Sequence, residues 1–188
     1  MDGDLDGQGR RKLPDGTTYV GHWRAGLYDG DGVLTTPGGE VYTGHFAEGQ
    51  PSGPGVVVDK DGNRTEGRWD HGKLDGDFTF TTAGGLASHA RYQAGLLEGP
   101  WDVHTPNGMH IVGQMHDGQL EGPGAIEFPN GKKASGRFGH GKPDGRWVIA
   151  DPDGASQVLE FDKGQLKSGV LPGPLPEMPA TDRAPLRS

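Results

Sequence analysis

Glycine recurs along this 188-residue chain at a step of 23. Gly26, Gly49, Gly72, Gly95, Gly118, Gly141 and Gly164 form one series, and Gly16, Gly39, Gly62, Gly85, Gly108, Gly131 and Gly154 form another, neither missing once. A third, Gly30, Gly53, Gly76, Gly99, Gly122 and Gly145, runs until Ser168. A fixed period of this size is the signature of an array in which each unit buries surface only against its neighbours. With 36 Gly, 15 Pro and 31% hydrophobic residues, the composition by itself would read as disorder. The strict period overrides that reading.

Between repeats stand Leu13-Pro-Asp-Gly, Thr36-Pro-Gly-Gly, Thr105-Pro-Asn-Gly, Phe128-Pro-Asn-Gly and Asp151-Pro-Asp-Gly. Pro, then Asn or Asp, then Gly suits a type I turn followed by a left-handed glycine, the three-residue hairpin loop. The flanking segments, such as Thr18 to Arg24, have the length of short strands, and no segment has helical periodicity. The chain is therefore expected to be all-β, a meander of hairpins with two strands per repeat. Six full repeats span residues 16–153, between a partial unit at 1–15 and another at 154–169.

Side chains alternate across a strand, so positions of like parity share a face. One face collects Tyr19, Trp23, Tyr42, Phe46, Trp69, Tyr92, Phe138 and Phe161, together with Phe78, Phe80, Trp101 and Trp147. Twelve of the fourteen aromatic residues thus lie on it. Gly21, Gly44, Gly67, Gly113 and Gly136 share that face, and a glycine there leaves bare sheet over which a ring can lie. The opposite face carries Arg68, Arg91, Arg137 and several histidines and is expected to be wet. The Tyr position turns to Thr65, Ser88, Ile111, Ala134 and Gln157 further along, which predicts a less aromatic surface there.

A unit of the form Tyr-x-Gly-x-Trp/Phe-x-x-Gly-x-x-x-Gly-x-Gly, here Tyr19 to Gly32 and Tyr42 to Gly55, closely resembles the MORN (membrane occupation and recognition nexus) repeat. The resemblance covers residues 3 to 169. It implies an elongated single-layer antiparallel sheet of the MORN solenoid or half-pipe type, used as an interaction or scaffold module.

A net charge of -8 and a pI near 5.4 work against nucleic acid and anionic membranes as partners. There is no apolar run long enough for a signal peptide or a transmembrane helix, which favours a cytoplasmic setting. Cysteine is absent. The stretch Asp2-Gly-Asp-Leu-Asp-Gly7 looks like the start of a calcium loop, but its twelfth position is Leu13 where a bidentate Glu is needed. Asp29, Asp75, Glu98, Glu121 and Asp144 recur at the inner turns, too far apart to share an ion, and read as solvated turn carboxylates. His89, His104 and His110 are expected to form one row on the wet face, a surface cluster without an obvious carboxylate to complete a metal shell. No nucleophile elbow, phosphate loop or catalytic thiol occurs, so neither an enzyme nor a cofactor is expected.

These features point to a non-enzymatic scaffold. Its expected groove, lined by Tyr19, Trp23, Tyr42, Phe46, Trp69, Tyr92 and Trp101, would accept an extended segment of a protein or peptide partner. The competing reading is a peripheral phospholipid-binding module, and a third is an accessory rod of a larger protein. Open edge strands predict end-to-end association of copies of the chain. The Pro-rich stretch 170–188 is expected to be a tail or linker.

Overall fold

The computed structural model describes residues 5–171. The first four residues, where the Asp2 to Gly7 stretch begins, and most of the Pro-rich tail lie outside them. Sixteen strands form an antiparallel meander in which neighbours follow chain order, and the sheet is not closed into a barrel. The two-residue strand Lys73–Leu74 stands off the path, beside Arg64–Asp70. No helix occurs among the described residues. The chain divides into two compact units, residues 5–83 with Tyr92–Gly95, and Gly84–Arg91 with 96–171.

Each repeat turns twice, by different chemistry. At the outer turns the expected loop forms: Gly16 N–H donates to the Leu13 carbonyl at 3.0 Å, Leu13 N–H to the Thr17 carbonyl at 2.7 Å, and Gly16 takes a φ of 97°. The inner turns have only two loop residues, such as Ala25 and Gly26 between Arg24 and Leu27. Both have positive φ, the type I′ geometry whose twist matches that of the flanking strands. The first loop residue is never glycine: Ala25, Glu48, His71, Ala94, Asp117, His140 and Lys163 all sit near φ 50°.

Those inner turns are also where repeats are tied together. Gly49 N–H donates to the Tyr28 carbonyl and Gly72 N–H to the Pro51 carbonyl in the first unit; Gly118 to Leu97 and Gly141 to Leu120 continue the scheme in the second. The recurring acids complete it. Asp75 accepts from Ala94 N–H, Glu98 from Asp117, Glu121 from His140 and Asp144 from Lys163, at 2.7–3.2 Å. Four of the five carboxylates expected to be merely solvated are thus bonded to the backbone of the next hairpin, because the left-handed turn residue points its N–H back at the preceding repeat, and Asp29 pairs with Arg24 at 3.1 Å.

In the first unit the core is Tyr19, Trp23, Tyr42, Phe46, Val57, Trp69, Leu74 and Phe78, all on one face of the sheet. In the second unit, Trp101, Val103, Ile111, Met115, Ile126, Phe138, Trp147 and Ile149 are buried likewise. The opposite face is open, with Arg68, Arg91 and Arg137 exposed.

Candidate functional site

Tyr19 and Tyr42 are each held by two glycines. The Tyr19 ring lies across Gly21 and the cross-strand Gly32, and a Cβ at Gly21 would stand 2.6 Å from both the Gly32 Cα and the Tyr19 Oη. Tyr42 repeats this over Gly44 and Gly55. The phenols are tied down as well, Tyr19 Oη donating to the His22 carbonyl at 3.0 Å and Tyr42 Oη to that of His45 at 3.1 Å. Neighbouring rings meet edge to face: Tyr19 and Trp23 at 5.1 Å, Tyr42 and Trp69 at 5.1 Å, Trp69 and Phe78 at 5.0 Å, Phe78 and Tyr92 at 5.4 Å. These are favourable arrangements for aromatic quadrupoles.

The consequence is that the expected groove residues are not open to solvent. Tyr19, Tyr42 and Phe46 are wholly buried, Trp23 and Trp69 are 2% exposed, and Trp101, which belongs to the second unit, is 4% exposed. The rings fill the face that their glycines leave bare, so they cover one another. Of the seven, Tyr92 alone stays half-buried, packed against this cluster.

Two half-buried residues that the groove reading left out share the face. Leu34 stands opposite Tyr19, and Tyr28 stands opposite Trp23 and stacks on Tyr19 with ring centroids 4.0 Å apart. A sequence signal for Tyr28 exists. Stepping by 23 from it gives Pro51, Leu74, Leu97, Leu120, Pro143 and Leu166, an apolar series as regular as the glycines.

The face becomes poorer in rings at Ile111, where the cross-strand slot is Gly124 and the side chain over Gly113 is Leu120, but not at the other strands where Tyr is replaced by Thr65, Ser88 or Ala134. Where Thr65 replaces Tyr, the ring over Gly67 is Phe78, reached from the opposing strand. Where Ala134 replaces it, Trp147 covers Gly136, and its Nε1–H donates to the Arg137 carbonyl at 3.0 Å. The ring changes strand and the glycine gives way with it: Tyr19 with Gly32 and Tyr42 with Gly55, but Thr65 with Phe78, Ser88 with Trp101 and Ala134 with Trp147. In these five repeats one ring fills the same volume.

Burial pushes the Tyr19 hydroxyl pKa up to about 12, helped by the negative charge of Asp29 and Asp31 and by Tyr28, and pushes that of Tyr42 up to about 12 by desolvation alone. A folded-state value above the unfolded one contributes stability that is present below the unfolded pKa, about 10, and is lost as pH rises toward the folded value. The phenolate absorbance of these two residues should therefore appear only above the ordinary tyrosine range, together with alkaline unfolding. Titration of all four tyrosines as one group near pH 10, with the fold intact, would contradict this packing.

The opposite face holds a second constellation, in the second unit. His104 and His110 pair across the hairpin formed by Leu96–His104 and His110–His116, and their rings stack at 4.1 Å, 8° from parallel. Asp102, two residues before His104 on the same face, places Oδ2 3.0 Å from His110 Nε2 and Oδ1 3.3 Å from His104 Nε2. The gathered group is Asp102, His104 and His110, without His89. Alternation alone carried the signal for Asp102. Further along, Glu98 accepts from His116 Nδ1 at 2.9 Å and from Asp117 N–H, which hold its carboxyl below the usual range; the same contact raises His116.

Four segments of the chain, residues 1–18, 19–41, 42–64 and 112–133, match the MORN repeat, the second and third beginning on Tyr19 and Tyr42. No curated protein matches the chain by sequence. Among solved structures, the SAS-4 (dCPAP) TCP domain of Drosophila melanogaster in complex with a proline-rich motif of Ana2 (dSTIL) is similar at 12% identity and a TM-score of 0.47, over 80% of this chain and 88% of that one. The TCP10c domain of Drosophila melanogaster Sas-4 is similar at 14% identity and a TM-score of 0.46, over 82% and 93%. The G-box domain of the microcephaly protein CPAP is similar at 16% identity and a TM-score of 0.36, over 81% and 97%.

Proposed function

We propose that this chain, a MORN-repeat protein, is a non-enzymatic scaffold for protein–protein interaction. In this reading the first unit holds an extended partner segment along the aromatic face of Tyr19, Trp23, Tyr42, Phe46, Trp69 and Tyr92. The observation that carries it is that Tyr28, Leu34 and Tyr92 remain half-buried on a face where Tyr19, Trp23, Tyr42, Phe46, Trp69 and Phe78 are fully packed. Apolar side chains already fixed by their neighbours lose little conformational freedom on binding, so the contact area they offer is not offset by ordering cost. The buried rings act as the rigid floor beneath them. An extended segment suits a surface built by strands, and one already in polyproline II conformation loses the least entropy on docking.

Peptides selected from a displayed library of linear segments are expected to bind the wild-type chain and to lose about 2 kcal/mol or more when Leu34→Asn and Tyr92→Ser are combined. Equal affinity for that double variant would sink the reading. So would salt-sensitive flotation with phosphoinositide vesicles that disappears when Arg68, Arg91 and Arg137 are replaced by Ala, the result that the membrane alternative requires.

A further inference from the structure

We propose that Asp102, His104 and His110 form a zinc-binding site at the edge of the second unit's hairpin. Three observations converge on it. The possible ligand atoms, one ring nitrogen from each histidine and a carboxylate oxygen, lie within 4.8 Å of one another. Each imidazole Nε2 lies beside a different oxygen of the one carboxylate, His110 3.0 Å from Oδ2 and His104 3.3 Å from Oδ1, separations close to the ligand–ligand edge of about 3.3 Å in a tetrahedron with bonds of about 2.0–2.1 Å. And Asp102 Oδ1 is buried with no hydrogen-bond donor: His104 Nε2 is near it, but not in bonding geometry. A buried carboxylate oxygen left unsatisfied is costly, and a cation removes that cost.

The scaffold is built to hold the geometry. His104 and His110 are the last paired residues before a tight turn, closed by Thr105 N–H to the Met109 carbonyl at 2.9 Å and Gly108 N–H to the Thr105 carbonyl at 3.0 Å. The ligands therefore sit on paired strands with fixed register, and the two stacked rings would turn about their side-chain bonds to point both nitrogens at one ion. Two neutral imidazoles with one carboxylate suit zinc better than the hard cations, which prefer oxygen alone. The His104 side chain is 58% exposed and that of His110 34%, so the remaining coordination position faces solvent, where water completes the shell.

The test is titration of the untagged chain with zinc sulfate against a chromophoric chelator, with the imidazole resonances followed by NMR. The expected result is saturable uptake of about one zinc per chain, with shifts at His104 and His110. Asp102→Asn, His104→Ala and His110→Ala should each weaken uptake about tenfold or more, whereas His140→Ala, at another exposed histidine, should not. Because these positions lie on the open face, the metal-free variants should unfold with the wild type, which separates loss of a ligand from loss of fold. Uptake that is unsaturable, or that the three variants leave unchanged, overturns the assignment.

Discussion

Replacing Trp69 by Ala is expected to lower the free energy of unfolding by about 3–5 kcal/mol, the range for emptying a large aromatic site in a core. Trp69 is 2% exposed and meets Tyr42 and Phe78 edge to face, so its loss opens a cavity at the centre of the first unit's ring cluster. Collapse cannot fill it, because those two rings are themselves pinned over Gly44, Gly55 and Gly67. Trp69→Phe should cost much less. Phe46 occupies the equivalent position one repeat earlier, and the Trp69 Nε1–H is buried without a partner, so the smaller ring also removes an unsatisfied donor. Urea denaturation of the three proteins would check the order. A Trp69→Ala variant as stable as wild type would mean that the rings do not form the core. Since an array loses stability locally, the loss should appear first as exposure of the first unit's amides to hydrogen exchange.

The same burial changes what Trp69 can report about binding. A residue with almost no accessible surface cannot be a direct partner contact, so any loss of affinity in Trp69→Ala would reflect loss of the floor rather than loss of an anchor. Leu34 and Tyr92, half-buried, are the informative positions.

How much of this was legible follows from which interactions repeat. The period, the outer turns and the segregation of rings onto one face were readable, because each is a local rule copied into every repeat. Glycine placement announced that rings would lie flat, but not that they would cover one another. That outcome depends on edge-to-face distances between side chains of successive strands, such as Tyr42 and Trp69, which the spacing of residues does not specify. The exchange of Tyr42 and Gly55 for Thr65 and Phe78 was present in the letters but hidden by following one slot at a time. Only the cross-strand pairing of Thr65 with Phe80, which sets Phe78 beside Gly67, shows that the two slots share a volume. The inner-turn carboxylates were missed for a related reason: their partners are backbone N–H groups 19 residues on, invisible to any motif of side chains. Asp102 is legible along a single strand, two residues before His104 and so on the same face, whereas a row of histidines is legible only across strands.

The ring-over-glycine arrangement makes a second large effect expected, with a sign that can be reversed. Gly55 lies in a strand without positive φ, where Ala would ordinarily be favoured by about 0.5–1 kcal/mol through its smaller conformational entropy. Its missing Cβ is nevertheless required. A Cβ there would stand 2.6 Å from Tyr42 Cζ and 2.7 Å from Cε2, atoms of a buried ring whose hydroxyl is bonded to the His45 carbonyl. Gly55→Ala should therefore destabilise by about 2–3 kcal/mol, as overpacking of a filled core does. In a Tyr42→Leu background the offending atoms are gone, and the same substitution should be neutral or stabilising, a coupling of about 2–3 kcal/mol in a double-mutant cycle. Gly44→Ala provides the contrast. Its Cβ would meet the Gly55 Cα at 2.6 Å and the Pro54 carbonyl oxygen at 2.7 Å, which are backbone atoms, so shortening Tyr42 should not rescue it. Rescue of both glycines, or of neither, would show that the strand pair, and not the ring, sets the requirement at Gly55.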